Sequence, residues 1–181
     1  MALQRPTFVH EDLAHMPDDG KRYELYEGEL IVSPAPVTKH QSCSMQLSGL
    51  LWRAEEAGHG RAFAAPTEVY FARNNVTHPD LLFIRSDRLH IITRTSIQGP
   101  PDLIIEILSP STRQDDFGWK MTLYARYGVP HYWIVDTDAP FILPHILGNG
   151  GYVEDTTLRL GDTLGSPLFP GITMPVERIF R

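Results

Sequence analysis

The segment at residues 103–108 limits the fold of this chain more than any other part of the sequence. It reads Leu-Ile-Ile-Glu-Ile-Leu, an apolar run with the single charge of Glu106 inside it. A short apolar run that ends at turn residues, here Ser-Pro-Ser-Thr, is typical of a strand covered on both faces. Such strands lie in sheets flanked by helices, so the segment predicts an α/β protein with a mixed sheet.

The carboxylate of Glu106 needs a partner in this position. Burying it in apolar surroundings without one is costly, so a cation, a metal ion or a hydrogen-bond network must stand beside it. An ion pair with an arginine would satisfy the requirement in a purely structural way. A functional centre would satisfy it as well, and the segment alone leaves both interpretations open.

The remaining patterns complete this architecture. Alternating apolar residues predict strands, and apolar residues three and four positions apart predict helices. We predict an α/β fold (α+β, mixed sheet) with flanking helices and a C-terminal hairpin, in one domain over residues 1–181. The predicted elements are helices at 7–16 (capped by Thr7), 38–57 and 115–127, a hairpin at 22–26 and 29–33, strands at 67–72, 79–84 and 132–136, and a hairpin at 141–160.

Composition and charge exclude several classes of protein. Cys43 is the only cysteine, which excludes an internal disulfide and a cysteine zinc site. No apolar run approaches the roughly 20 residues that span a bilayer, and the first residues lack the apolar segment of a signal peptide. We therefore expect a cytoplasmic protein without membrane contact. The net charge of −6 argues against non-specific coating of nucleic acid. It does not argue against a nuclease, because metal-binding carboxylates add negative charge.

Asp80 and Lys120 are two further candidate site residues. Asp80 follows Pro79 at the start of an apolar strand, although an Asp after Pro is also common in ordinary turns. Lys120, one of three lysines, lies in the helix that follows the Glu106 strand, although helix lysines are usually solvated. Two carboxylates can hold a divalent cation through oxygen. A nearby lysine can then orient or deprotonate a water molecule and offset charge on a phosphate.

A family resemblance runs through the same residues. The strings RYELYEGELIVSPAP, HPDLLFI, PPDLIIEILSPST and GVPHYWIVD, with Lys120 and Tyr124 before the last, follow the order and spacing of the Uma-two family. The chain resembles that family from about residue 22 to residue 136, and GDTLGSPLFPGI resembles the family's C-terminal end. The family belongs to the PD-(D/E)xK nuclease superfamily. The resemblance therefore implies a restriction-endonuclease-like core.

The resemblance also assigns roles to single residues. It makes Asp80 the aspartate of the PD motif and Glu106 the acidic residue of the (D/E)xK strand, and it implies that these two bind Mg²⁺ or Mn²⁺. Leu108 stands where the superfamily has its lysine, and that lysine is displaced to Lys120 on the following helix. Glu24, from the first hairpin, is either a further site carboxylate or an exposed strand residue.

The implied activity is hydrolysis of DNA phosphodiester bonds by a metal-dependent endonuclease, in a homodimer whose two sites could address two strands. The alternative is a degenerate nuclease-fold protein that binds nucleic acid or a protein partner without cutting, which the acidic charge and Leu108 favour. Three other polar residues receive plainer interpretations. We expect a structural role for Asp102 at the far end of its strand, a solvated side chain for His40, and no functional role for His131.

Overall fold

The structure is a computed structural model that describes residues 7–181. Its helices are α1 (His10–Leu13), α2 (Thr38–Glu56), α3 (Arg113–Phe117), α4 (Trp119–Tyr127) and α5 (Val176–Ile179), with a 3-10 helix at Ser86–Ile91. Its strands are β1 (Arg22–Tyr26), β2 (Glu29–Ser33), β3 (Gly60–Ala64), β4 (Val69–Ala72), β5 (Asn75–Thr77), β6 (Leu81–Arg85), β7 (Ile97–Gln98), β8 (Leu103–Ile107), β9 (His131–Asp136), β10 (Phe141–Gly148), β11 (Gly151–Glu154), β12 (Thr163–Leu164) and β13 (Met174–Pro175).

The strand that carries Glu106 lies inside a six-stranded sheet of order β11-β10-β9-β8-β6-β3. Strands β8 and β9 run parallel, and the other neighbours in this sheet are antiparallel. A five-stranded sheet of order β2-β1-β5-β4-β7 carries the first hairpin. The mixed sheet is therefore as predicted, and β8 is buried at each of its five residues.

Alternation along β8 divides the core into two layers. Leu103, Ile105 and Ile107 belong to a cluster with the buried residues of α2, and Ile104 belongs to a second cluster with Leu123 and other residues around α4. Because successive side chains of a strand point to opposite faces, Glu106 shares the face of Ile104. The charge in the middle of β8 is thus directed to the side on which α4 packs.

The helix predicted at 115–127 is divided into α3 and α4 at Gly118. Gly118 has φ −107° and ψ −106°, which is not a helical conformation. A Cβ atom there would lie 2.6 Å from the carbonyl oxygen of Gln114, so only glycine fits without a shift of the backbone. The prediction of one continuous helix was wrong because this local contact, rather than the apolar periodicity, decides the path of the chain.

Other boundaries also differ from the predicted ones. The first helix covers only His10–Leu13, and its cap position is Val9 rather than Thr7. Strands β3, β5, β7, β12 and β13 were not predicted. All except β3 have only two or three residues, and pairing with a neighbouring strand defines each of the five more than its own sequence does. The single domain over 1–181 stays a prediction, and residues 1–6 lie outside the described part.

Among residues 7–181, no helix combines the length and the apolar character that a passage through a bilayer requires.

Candidate active site

The ammonium group of Lys120 lies among three buried carboxylates. Its Nζ atom is 3.0 Å from Glu106 Oε1, 3.2 Å from Asp116 Oδ1 and 3.7 Å from Glu24 Oε2. Lys120 is only 4% exposed and the three acids are about 1% exposed. A charged group this deeply buried is tolerated because opposite charges surround it. The interpretation of Lys120 as a solvated helix lysine is therefore wrong.

Asp80 accepts contacts at both oxygens of its carboxylate. Oδ1 lies 2.7 Å from Nη1 of Arg22, and Oδ2 lies 3.0 Å from Nε2 of His40. The backbone N–H of Ile107 also donates to Oδ2 at 2.8 Å. Asp80 itself is 4% exposed. These contacts hold the carboxylate in one orientation, which an ordinary turn aspartate would not require.

Strand pairing brings Asp80 beside Glu106. In the antiparallel ladder of β6 and β8, Leu81 pairs with Ile105, so one further step sets Asp80 opposite Glu106. Both residues line a cavity of about 290 Å³, together with Glu24, His40 and Lys120. The structure thus gathers at one place all four residues that the sequence suggested.

Glu24 reaches this place from the first hairpin. It is buried, and its Oε1 accepts a hydrogen bond of 2.8 Å from the backbone N–H of His78. The alternative of an exposed strand glutamate is therefore wrong. Because β1 belongs to the five-stranded sheet, Glu24 approaches Lys120 from a different sheet than Glu106 does. The site lies where the two sheets and α4 meet.

Burial and charge move the pKa values of the two central acids in opposite directions. Burial would raise the pKa of Asp80, but the hydrogen bond and charge of His40, with Arg22 and Lys120, bring it down to about 2. Burial raises the pKa of Glu106 to about 8, against the opposing effect of Lys120 and with the added effect of Asp116. Environments that separate the pKa values of two carboxylates in this way are typical of functional sites.

Lys120 remains a cation in this environment. Burial would lower its pKa, but the charges of Glu106, Glu24 and Asp116 raise the pKa well above the ordinary value. A lysine held in this state is a poor general base and a good electrostatic partner. Of the three roles suggested by the sequence, charge compensation and orientation of water fit the structure better than deprotonation of water.

Tyr124 completes the hydrogen bonding of Glu106. Its hydroxyl donates to Glu106 Oε1 at 2.7 Å and lies 3.5 Å from the hydroxyl of Thr77. Burial, followed by the charge of Glu106, raises the pKa of Tyr124 well above its ordinary value, so the phenol keeps its proton. The spacing of Lys120 and Tyr124, one turn apart on α4, directs both side chains to the same carboxylate.

Three residues at the site were missed by sequence reasoning. His40 was expected to be solvated, but it is 5% exposed and bonded to Asp80. Arg22 and Asp116 were not singled out. The signal for Asp116 was available, because an acid four residues before a lysine is a helix ion pair. No comparable local signal existed for Arg22, whose partner lies 58 positions further along the chain.

The structure also shows the surroundings of Asp102 and Leu108. Asp102 accepts bonds from the backbone N–H of Arg85 at 2.9 Å and from Nη1 of Arg88 at 2.8 Å, which is the structural role expected for it. Leu108 is buried in the same apolar cluster as Ile104 and Leu123. An apolar side chain therefore occupies the position at which the resemblance would place a lysine.

The donors at the site suit a hard divalent cation that keeps much of its water. Within residues 7–181, no three His, Cys, Asp or Glu side chains are arranged to hold a metal ion. Asp80 and Glu106 supply carboxylate oxygens, and Mg²⁺ is commonly held by one or two carboxylates with water and phosphate oxygens. Four buried acids face the two permanent cations Lys120 and Arg22, so a divalent cation would balance the charge. The residues present therefore fit Mg²⁺ or Mn²⁺.

Comparison with known proteins identifies relatives of this arrangement. A family model described as "Uma2: Putative restriction endonuclease" matches residues 10–177. A solved structure described as a "putative nuclease" from Anabaena variabilis has a TM-score of 0.77 and 19% identity, over 96% of this chain and 97% of that one. No curated protein matches the chain. The structural likeness confirms the predicted restriction-endonuclease-like fold with its mixed sheet.

Proposed function

This chain belongs to the Uma2 family, and we propose that it is a Mg²⁺- or Mn²⁺-dependent endonuclease that hydrolyses phosphodiester bonds of DNA. The observation that carries the proposal is the position of Lys120, 3.0 Å from Glu106 in the cavity that Asp80 also lines. Two acids at one cavity can hold a metal ion, and a buried cation beside them can offset charge on a phosphate.

Asp80 and Glu106 are the residues that would hold the metal ion. A bound Mg²⁺ or Mn²⁺ supplies Lewis acidity toward a phosphate oxygen and lowers the pKa of a water molecule. Asp80 is prepared for this role, because its low pKa keeps it ionised and His40 and Ile107 fix its orientation. Glu106 would lose its proton on binding, since metal ligands must be deprotonated.

Lys120 would orient water and compensate charge. During hydrolysis the oxygen of water bonds to phosphorus, one bridging P–O bond breaks, and the proton of the water passes by way of solvent to the leaving oxygen. Negative charge grows on the phosphate as this happens. The ammonium of Lys120 offsets that charge, while Glu24 and Asp116 hold it in place.

DNA as substrate, a homodimer and a location in the cytoplasm belong to the same proposal. The net charge of −6 leaves the attraction of DNA to local cations and to the metal ion. Arg22 is one such cation, since it lines the cavity of about 290 Å³ beside Asp80, here called the catalytic cavity, and 19% of its side chain is exposed.

A second candidate function is binding of nucleic acid without cleavage. It is favoured by the contacts of Asp80, whose oxygens already face Arg22, His40 and the N–H of Ile107. In that case Arg22 would permanently replace the metal ion as the partner of Asp80.

The test is cleavage of supercoiled and linear plasmid DNA with Mg²⁺ or Mn²⁺. The variants are Asp80→Ala, Glu106→Ala and Lys120→Ala, with the exposed Lys39→Ala as the matched control and circular dichroism to verify folding. The nuclease proposal expects metal-dependent nicking that all three site variants lose and the control keeps. Absence of nicking in the wild type, with retained DNA binding, would favour the second function. Nicking that is equal in every variant would point to a contaminant and overturn the assignment of the site.

A further inference from the structure

A second cavity adjoins the catalytic one. It measures about 530 Å³ and lies between α1 with the turn after it, the start of β1, and residues Pro66, Glu68 and His78. We call it the α1 cavity. Its volume falls within the roughly 300–1,000 Å³ of small-molecule sites. No role has been assigned to it in the proposed function.

Two residues connect the α1 cavity to the catalytic site. Arg22 lines both cavities, and its guanidinium contacts Asp80 at 2.7 Å. His78 lines the α1 cavity, while its backbone N–H donates to Glu24 and its carbonyl accepts a bond of 3.3 Å from Arg22. A ligand in the α1 cavity would therefore stand next to whatever occupies the catalytic cavity.

The charges around the α1 cavity are largely paired already. Glu68 bonds His10 at 2.8 Å, Glu11 bonds Arg73 at 3.2 Å, and Lys21 lies 2.8 Å from Asp19. Asp18, which also lines the cavity, is exposed to solvent. The lining therefore does not strongly attract an anion. A neutral group with polar edges is the ligand that such a lining accepts best.

The rest of the lining suits a flat heterocycle. Leu13, Met16 and Pro66 offer apolar surface, and Tyr23 offers an aromatic ring. A nucleobase suits this lining, since its faces stack on apolar and aromatic groups.

We propose that the α1 cavity binds one unstacked base of a DNA strand, next to the phosphate that enters the catalytic cavity. This inference rests on the proposed function and adds a substrate preference to it. A base can enter such a cavity only from a single strand or from an unpaired position in a duplex, because a paired base is held in the stack. Single-stranded or locally unpaired DNA is then the preferred substrate.

The test measures binding separately from cleavage. Fluorescence anisotropy in EDTA compares a short labelled single-stranded oligothymidylate with an oligonucleotide of equal length built from abasic tetrahydrofuran residues. Ala14→Trp fills the cavity from an exposed lining position, and His15→Trp adds the same side chain one residue later, outside the lining. Thermal melting verifies that both variants fold.

We expect the wild type and His15→Trp to bind the thymidylate about tenfold more tightly than the abasic strand. Ala14→Trp should bind both strands equally, at the affinity of the abasic one. The ratio should persist as salt is raised, since a neutral base releases no counterions. Equal binding of the two strands by the wild type, or an unchanged preference in Ala14→Trp, would overturn the inference.

The plasmid assay keeps the two proposals apart. If the wild type nicks plasmid DNA but binds the thymidylate and abasic strands equally, only the base site is overturned. The opposite result is a wild type that prefers the thymidylate strand but never nicks DNA, with the preference lost in Ala14→Trp. It would support the base site and overturn the nuclease function.

Discussion

The Nζ atom of Lys120 lies 3.0 Å from Oε1 of Glu106, and both groups are almost completely buried. The two residues are 14 positions apart, on α4 and β8, with the backbone break of Gly118 between them. Within residues 7–181, Lys120 is the one cation at ion-pair distance from Glu106, whereas Lys120 also faces Asp116 and Glu24. Stability and activity should therefore both depend on this pair.

Loss of the Lys120 ammonium should destabilise the fold most at alkaline pH. Lys120→Met leaves Glu106, Glu24 and Asp116 buried without their shared cation, and breaking a buried pair in this way costs about 3–5 kcal/mol. The cost should fall toward pH 5, because burial raises the pKa values of Glu106 and Asp116 and their protonation relieves the unbalanced charge. Urea unfolding at pH 5 and pH 8 measures both values.

The surface lysine Lys39 provides the control for that measurement. It pairs with Asp138 at 3.1 Å, but 57% of the lysine side chain is exposed. Lys39→Met should leave the free energy of unfolding nearly unchanged at both pH values. If Lys39→Met and Lys120→Met lost the same free energy of unfolding, the buried ion pairs of Lys120 would not be the cause of the loss.

Acid should remove a stabilising contribution of Asp80. Burial opposes its ionisation, but His40, Arg22 and Lys120 lower its folded pKa to about 2 from 3.8. The unfolded chain therefore binds this proton more tightly, and the contribution of about 2 kcal/mol is complete above pH 4 and disappears as the pH falls toward 2. Asp80→Asn should lack this part of the pH dependence in acid titrations of stability.

His40→Ala tests the origin of that low pKa. Without the 3.0 Å contact of His40, the pKa of Asp80 should rise, and the acid transition should begin at higher pH than in the wild type. His59→Ala, a histidine outside the cavity of the site, serves as control. Coincident acid transitions in His40→Ala and the wild type would show that the contact does not hold the carboxylate.

Glu106 should act on stability in the opposite direction. Burial raises its folded pKa to about 8 from 4.5, against the effect of Lys120. The folded state then holds the proton more tightly, so the contribution is complete below about pH 4.5 and is lost as the pH rises through 8. In EDTA, Glu106→Gln should gain stability relative to the wild type across that window. Parallel pH curves for the two proteins would rule out the raised pKa.

Any side chain larger than the hydrogen of Gly118 should destabilise the fold at the break between α3 and α4. A Cβ at Gly118 meets the carbonyl oxygen of Gln114 at 2.6 Å, so Gly118→Ala should lose about 1–3 kcal/mol and displace Lys120. Gly49→Ala in α2 has open space and should gain up to about 1 kcal/mol. Thermal unfolding compares them, and a loss in both would refute the steric explanation.

Local patterns were sufficient for several elements. The Glu27-Gly28 turn and its alternating flanks predicted β1 and β2 at their observed bounds, and the apolar run predicted the buried β8. The prolines before residue 38 and the glycines after 57 predicted α2 within one residue. These signals need only the chain itself, because turn geometry, capping and periodicity act over a few residues.

The site depended on contacts between distant parts of the chain. Sequence reasoning could place a costly charge at Glu106, but it could not show that α4 would return Lys120 to it. It missed His40 because burial of a helix histidine depends on what packs over the helix. Strands as short as β5 and β7 also escaped, since partners rather than propensity stabilise them.

The sequence by itself therefore determined the fold class, the first hairpin, the buried central strand and the four residues Glu24, Asp80, Glu106 and Lys120 as candidates. Only the tertiary structure decided that these four share one cavity, that Arg22, His40 and Asp116 belong with them, and that their surroundings move the pKa values of Asp80 and Glu106 in opposite directions. The physical reason is the range of the forces involved. Periodicity and turn preferences act between near neighbours in the chain, whereas burial and charge pairing are set by neighbours in space.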